Sequence, residues 1–438
     1  MKNSINIKHP NHWVVGKINY YTYIKTGGTP SRDNLTYWEN GTINWLSSGE
    51  VNKKVIFEVD NKITVDGLNN SNATMLPANS ILMALNGQGK TKGMVAVLKV
   101  QSTCNQSLAA FICKEDKLHP TYLYYQLDSR YKEIRGLVGD GHREGLSISL
   151  LKTLDIYIPP KNEQIAIVNF LDKQTKKIDN LVNKQQKLVE LLQEKRQSLI
   201  EEAVTKGLNR EAPMKDSGIE WLGEIPSNWK TMLLGIAAEK MTNGYVGPTR
   251  DILVEDGVRY LQSMHIKNGK ILFDRKHYFV DKEWSKKQSK SILRKGDVLF
   301  VQTGAEIGQC SVVTTEYEGC NCHALIIVRL RQHIGLGEYL TWYFQSNHGK
   351  NTLLSYRTGA LHPHLDTGRI CNIKIAFPTI EEQQQIVNFL EKEAKKYDQL
   401  ISKIEQQIEK LQEYRQALIS EAVTGKIDVR EYVKGVTM

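Results

Sequence analysis

One stretch of this chain is written twice. Residues 159–209 and 378–428 align without a gap and are identical at roughly half of their positions. Ile167-Val168-Asn169-Phe170-Leu171 returns as Ile386-Val387-Asn388-Phe389-Leu390, and Glu202-Ala203-Val204-Thr205 as Glu421-Ala422-Val423-Thr424. A duplication of this length constrains the architecture before any single residue is weighed. The chain must be organised as a pseudo-twofold internal repeat.

Each copy reads as one long helix. In the second copy Leu390, Tyr397, Ile404, Leu411 and Leu418 recur every seven residues, with Ala394, Ile401, Ile408 and Ala422 at the intervening steps. The first copy places Leu171, Ile178, Gln185, Leu192 and Leu199 beside Thr175, Val182, Val189 and Ala203. A stripe this narrow buries itself only against another helix, so the spacing predicts a paired seam. Pro159 and Pro378 stand where a helix can begin, and Glu163 and Glu382 fall near the positive end of the helix dipole. Gly207 and Gly425 end the pattern. At ~1.5 Å rise per residue, each rod is roughly 65–70 Å long.

A chain of 438 residues exceeds one ordinary core and predicts two or three domains. No apolar run approaches the ~20 residues of a membrane span, and the N-terminus lacks a signal-peptide core. The expectation is a cytoplasmic protein with no membrane partner. The six cysteines are scattered without a CxxC pair, and Cys320-Asn321-Cys322-His323 lacks the further ligands a metal site needs. Reduced, buried thiols are expected, and no metal.

The formal charge of +10 permits nucleic-acid binding, and its distribution says more. Residues 1–158 carry a net charge of about +5, the first long helix about +3, residues 211–378 about +4 and the remainder about −2. Positive charge therefore resides in both regions that flank the first copy, while the C-terminal copy is slightly acidic.

Those regions repeat one order of elements. In residues 1–158 the turn Thr26-Gly27-Gly28-Thr29-Pro30-Ser31-Arg32 precedes strand-like segments around Trp45, Ile81 and Val95, a helix at Tyr122 and a last strand at Ile156-Tyr157-Ile158. Residues 226–378 follow more faintly. Trp229 answers Trp13, the Tyr260 segment answers Trp45, and Val298-Leu299-Phe300-Val301 answers the Ile81 strand. The plan is domain, helix, domain, helix. The helices match best and the domains differ in their loops, as two readers of different targets would.

Catalytic motifs are weak. Ala84-Leu85-Asn86-Gly87-Gln88-Gly89-Lys90-Thr91 fits a relaxed phosphate-loop pattern, but a strand-like Gly93-Met94-Val95-Ala96-Val97 follows where a phosphate loop needs a helix. Its counterpart, Thr303-Gly304-Ala305-Glu306-Ile307-Gly308, has no lysine. A hairpin loop is the better reading. No base-flipping Asn-Pro-Pro-aromatic, HExxH, Gly-x-Ser-x-Gly or GxGxxG stands out.

Three features together resemble the DNA-specificity subunit of type I restriction–modification enzymes. They are the linker Met214-Lys215-Asp216-Ser217-Gly218-Ile219-Glu220-Trp221-Leu222-Gly223-Glu224-Ile225-Pro226, the Gly27-Gly28-Thr29-Pro30-Ser31-Arg32 segment, and the domain-to-helix junctions at Glu163-Gln164 and Glu382-Gln383. The resemblance implies a mixed α/β (α+β) chain with two target-recognition domains, residues 1–158 and 226–377. Between and after them would come a central helix, 159–209, a linker, 210–225, a C-terminal helix, 378–428, and a tail, 429–438. The helices would pair antiparallel as a coiled coil. Each domain would read half of a bipartite site in double-stranded DNA. Methyltransferase subunits, two of them, and restriction/translocase subunits would dock on the helices. S-adenosylmethionine, ATP and Mg would sit on those partners, with no cofactor on this non-catalytic chain.

Loop position and side-chain chemistry then nominate the DNA contacts. In the first domain they are Arg32, Ser47, Ser48, Gln88, Lys90, Lys92, His142 and Arg143. In the second they are Arg250, Gln262, Ser263, His265, Lys267, Gln302, Thr303, Arg357, His362 and His364. Basic side chains suit phosphates; amides, hydroxyls or a bidentate arginine suit base edges. The residues alone leave two other classes open, a nucleotide-dependent DNA-modifying enzyme and a coiled-coil interaction protein without a DNA role.

Overall fold

The computed structural model describes residues 9–87, 89–138, 145–359 and 362–430. The chain forms two compact units, and the division does not follow chain order. One unit comprises residues 1–185 and 406–438, the other residues 186–405. The two copies of the repeat are single helices, Lys161–Lys206 and Ile380–Val423, and each gives one end to each unit. Both stop where predicted, at Gly207 (φ +75°) and Gly425 (φ +73°), in the left-handed conformation that glycine adopts at little cost.

The first unit is layered around a five-stranded sheet in the order Thr22–Thr26, Leu108–Cys113, Ile81–Ala84, Val95–Leu98, Val55–Ile56. Only the last pair is parallel. Side chains alternate across the central strand. Ile81 and Met83 join Tyr122, Leu123 and Leu127 of the helix Pro120–Ser129, while Leu82 and Ala84 join Leu46, Val51 and Ile56. Both faces are covered, which explains why the strand reads as a continuous apolar run rather than an alternating one. The second unit repeats the plan with Ala238–Asn243, Leu325–Leu330, Val298–Val301 and Cys310–Val312. There Val298 and Phe300 face the helix Gly337–Gln345, and Leu299 and Val301 face Leu261 and Phe273.

Each core is closed by the start of one long helix and the end of the other. In the first unit Ile167, Leu171 and Ile178 pack with Leu418, Ile419, Ala422 and Val423, and the Tyr122 hydroxyl donates to the Val423 carbonyl at 3.2 Å. In the second, Ile386, Val387 and Leu390 pack with Ile200, Ala203 and Val204, and the Tyr339 hydroxyl donates to the Val204 carbonyl, also at 3.2 Å. Within the first unit Arg415 Nε meets Asp179 Oδ1 at 2.9 Å and Gln185 meets Gln407 at 3.2 Å. Within the second, Arg196 Nε lies 2.9 Å from Asp398 Oδ1. Positions that rise on one helix fall on the other, so the segments run antiparallel. Of the expected seam, Leu171, Ile178, Val182, Leu390 and Leu418 are buried. Val189, Leu192, Leu199, Tyr397, Ile401, Ile404, Ile408 and Leu411 are half-buried, as in a two-helix contact with open flanks.

The duplicated Glu-Gln pair has a more specific task than dipole compensation. Glu163 accepts the Trp13 indole N–H at 3.0 Å, and Glu382 accepts that of Trp229 at 2.9 Å. Gln164, fully buried, accepts the His119 backbone N–H and donates to the Lys117 and Pro159 carbonyls. Gln383 does the same with Leu336, Ile334 and Pro378. One residue thus satisfies three backbone groups where a domain becomes a helix, and a buried backbone group left unpaired would cost about 1–3 kcal/mol.

Candidate nucleic-acid interface

In the first domain the strand Thr22–Thr26 runs into Gly27, whose position against the Cys104 backbone leaves no room for a Cβ. The Gly28 carbonyl accepts the Trp45 indole N–H at 2.9 Å, and the Ser31 carbonyl accepts that of Trp38 at 2.9 Å. Those two rings meet edge to face, 5.1 Å apart at 87°. The Arg32 guanidinium lies over both, 5.6 Å from Trp38 and 6.0 Å from Trp45, with the side chain exposed. The glycines therefore permit close packing, and the tryptophans hold an arginine at the surface. Ser47 and Ser48, half-buried, follow the same strand, Ile43–Leu46, at the start of the 3-10 turn Ser48–Lys53.

The second domain builds the same corner with different side chains. Gly244 abuts Cys322 as Gly27 abuts Cys104, and Tyr260 takes the place of Trp45 in the parallel pairing beside that cysteine. Trp284 stands edge-on to Tyr245 (5.1 Å, 83°) and to Tyr260 (5.9 Å, 85°). Arg250 is exposed and closes Gly244-Tyr245-Val246-Gly247-Pro248-Thr249-Arg250, the counterpart of Gly27-Gly28-Thr29-Pro30-Ser31-Arg32. Sequence reading missed this match because one extra residue shifts it. The Pro-Ser-Arg and Pro-Thr-Arg endings were the available signal. Gln262 and Ser263, half-buried, occupy the positions of Ser47 and Ser48.

A second cluster forms at the end of each central strand. The Leu365 N–H donates to the Gln302 carbonyl at 2.9 Å, as the Leu146 N–H donates to Leu85 at 2.9 Å. Through that contact Gln302 and Thr303 meet the loop that carries Arg357, His362 and His364. Thr303 and Thr358 both bridge to His364, and the Thr358 hydroxyl lies 3.1 Å from His364 Nε2. Arg357 Nε donates to the Leu354 carbonyl at 2.9 Å. Thr303, Arg357, His362 and His364 are exposed, so chain segments some sixty residues apart present amide, hydroxyl, imidazole and guanidinium groups together. In the first domain Lys90 is exposed in the corresponding loop, and the Tyr131 hydroxyl donates to its carbonyl at 2.5 Å. Gln88, His142 and Arg143 lie outside the described residues. Strands Ile81–Ala84 and Val95–Leu98 pair antiparallel around this loop, so it is a hairpin with no helix N-terminus to hold a nucleotide phosphate.

Two nominated residues are corrected. His265 is fully buried: its Nδ1 accepts the Gln262 backbone N–H at 2.9 Å, and Nε2–H donates to the Lys276 carbonyl at 2.7 Å. Burial pushes its pKa down, and a neutral ring with both nitrogens engaged shapes the turn rather than touching DNA. Lys92 is only 5% exposed, drawn in as the hairpin closes through the Gly93 N–H to the Ala84 carbonyl. Lys267 remains at the surface, 3.6 Å from Glu306.

Burial pushes the Cys104, Cys113 and Cys310 thiols up to about 12 and Cys320 up to about 11. Among the described residues no group of three His, Cys, Asp or Glu could hold a metal ion, and no helix is long and apolar enough to cross a membrane.

Comparison with known proteins places this geometry. The family described as Type I restriction modification DNA specificity domain matches residues 10–191 and 226–410. The type I restriction enzyme EcoR124I/EcoR124II specificity subunit of Escherichia coli is 32% identical over 150 residues, 34% of this chain and 37% of that subunit. The MjaVIII specificity subunit of Methanocaldococcus jannaschii is 23% identical over 314 residues, 70% of each chain. Among solved structures, a chain from work on complex assembly and conformational transition of the type I R-M system overlays with a TM-score of 0.73. It covers 96% of this chain and 100% of that one at 14% identity. The HsdS subunit from Thermoanaerobacter tengcongensis gives 0.51 at 14% identity, covering 97% and 100%. At such identity these overlays speak for the fold.

Proposed function

The chain belongs to the type I restriction-modification DNA specificity family, and from that premise we propose that its two domains read the two halves of a bipartite DNA site. It is a sequence-specific DNA-binding subunit of a type I restriction–modification complex. The observation that carries the two-reader proposal is the pairing of constant and variable parts. Both domains share a plan down to Gly27 and Gly244 and to the Leu146 and Leu365 contacts, yet their exposed loop residues differ. Sequence is read by side chains on base edges, so equal scaffolds with unequal loops suit two different half-sites. Arg32, Ser47, Ser48 and Lys90 would face one half. Arg250, Gln262, Ser263, Lys267, Gln302, Thr303, Arg357, His362 and His364 would face the other.

The long helices would set the spacer between half-sites and dock the partners. Two methyltransferase subunits would carry S-adenosylmethionine, and restriction/translocase subunits would bring ATP and Mg. Exchanging residues 1–158 for those of another family member is expected to change one half-site only. Mapping methylated sites in host DNA, with and without the chimera, measures this. Altered sequence in both halves, or in neither, would contradict the two-reader assignment.

A further inference from the structure

The second unit carries a basic cleft of which the half-site reading uses only Lys267. It has a volume of about 740 Å3 and lies between the hairpin of Ile266–Lys267 with Lys270–Ile271 and the helix segments around Arg196 and Asp398. Arg196, Lys267, Lys270, Arg275 and Lys350 line it against the carboxylates of Asp398 and Glu405. Arg196 is paired with Asp398 and Lys267 with Glu306. Among the described residues no carboxylate lies within salt-bridge distance of Lys270, Arg275 or Lys350.

The hairpin is built to hold its charge in place. Asn268 (φ +49°) and Gly269 (φ +75°) form a two-residue turn of the kind that suits a tight hairpin, and it sets Lys267 directly opposite Lys270. Like charges opposed across a strand pair are unfavourable unless an anion joins them, and the Glu306 carboxylate, 3.6 Å from Lys267, meets only one of the two. The turn cannot swing away to relieve this. The Gln309 side-chain carbonyl accepts the Asn268 N–H at 3.0 Å, and the Ser311 hydroxyl donates to the Gly269 carbonyl at 3.0 Å. Gln345 packs so closely on Gly269 that a Cβ would strike it.

We propose that this cleft clamps DNA phosphates irrespective of sequence, extending the footprint of the second domain beyond the bases it reads. The inference rests on the DNA-binding reading of that domain. Continuity selects DNA over an acidic protein: Lys267 follows Gln262 and Ser263 in the chain, and Gln309 closes the loop that begins at Thr303. A protein partner would need a fully exposed apolar anchor point, whereas on the cleft wall Phe344 is 2% exposed and Leu272 and Ile401 are half-buried. Cations and amides without such an anchor are the equipment of backbone contact.

The test compares the full-length chain with a Lys270→Ala/Arg275→Ala/Lys350→Ala variant on two duplexes, one carrying the methylation-mapped target and one scrambled. Loss of three phosphate contacts is expected to weaken binding to both duplexes by about tenfold or more and to lower the salt slope by about 2.7. The Lys270→Arg/Lys350→Arg variant, which keeps Arg275, should match the unsubstituted chain in both. Circular dichroism confirms that each variant is folded. An unchanged slope on the scrambled duplex overturns the clamp, as does a loss confined to the target. Weakened binding to polyglutamate with the duplexes untouched also overturns it, by identifying an acidic protein as the occupant. A wild-type chain that binds both duplexes equally would refute base reading by the loops, while the clamp is still judged on the scrambled duplex alone.

Discussion

Deleting residues 406–438 is expected to unfold the first domain and spare the second. The removed segment supplies Leu418, Ile419, Ala422, Val423 and Val429 to the core that holds Trp13, Tyr122 and Leu171. Burial of each large aliphatic side chain contributes about 1.5–3 kcal/mol, so four of them contribute roughly 6–12 kcal/mol. A domain of this size is stable by only about 5–15 kcal/mol in total. The Tyr122 hydroxyl also loses its acceptor at Val423. The second unit, residues 186–405, keeps its contacts. Hydrogen exchange measures the outcome: protection should vanish in Ile81–Ala84 and Leu108–Cys113 and persist in Val298–Val301 and Leu325–Leu330. Loss in the second set with the first retained would contradict the assignment of helix ends to cores.

Substituting Asp297 by Ala should cost about 3–5 kcal/mol. Its fully buried carboxylate accepts Arg329 Nε at 2.7 Å, Arg329 Nη2 at 2.8 Å and the Arg294 backbone N–H at 2.8 Å. The Arg329 side chain is itself only 12% exposed, and the Asp297 hydrogen bond raises its pKa further. Removing the carboxylate strands a guanidinium away from water, which is the expensive way to break a buried pair. Asp297→Leu with Arg329→Met removes both charges and should recover most of the loss. Denaturant midpoints of the two variants decide the matter; equal destabilisation would show that the pair acts through shape alone. Because Asp297 precedes the strand Val298–Val301, which leads into Gln302 and Thr303, the single variant should also weaken recognition of the second half-site. Ser80 holds the corresponding position in the first domain, where its hydroxyl donates to the Pro77 carbonyl at 2.7 Å. That domain carries no such liability there.

Much of this was legible in the sequence because it rests on local rules. A seven-residue apolar repeat specifies a helix and the face it buries, and glycine at Gly207 and Gly425 ends it. Which partner the face meets is not local. Nothing in the spacing of Ile200, Ala203 and Val204 says that they enter the core of the domain that follows. Nor does Val423 announce a hydroxyl more than three hundred residues earlier. Surface position was harder still. Exposed histidines and lysines look alike in a sequence, yet His265 is drawn inward by two backbone hydrogen bonds and Lys92 by closure of its hairpin. Loop position nominates Arg32 and Arg250 alike, while the aromatic pair that holds Arg32 is visible only when distant segments are brought together.

The crossing of helix ends between cores also bears on how the chain is made. A ribosome releases residues 1–158 first, but the surface around Tyr122 and Leu171 stays uncovered until residues 418–429 have emerged. The second core, which draws on residues 186–405, is complete before that moment. The domain synthesised first is therefore finished last. Every nascent chain carries an open apolar face until residues 418–429 emerge, so a message truncated before codon 418 yields a polypeptide for chaperones and proteases rather than a working half.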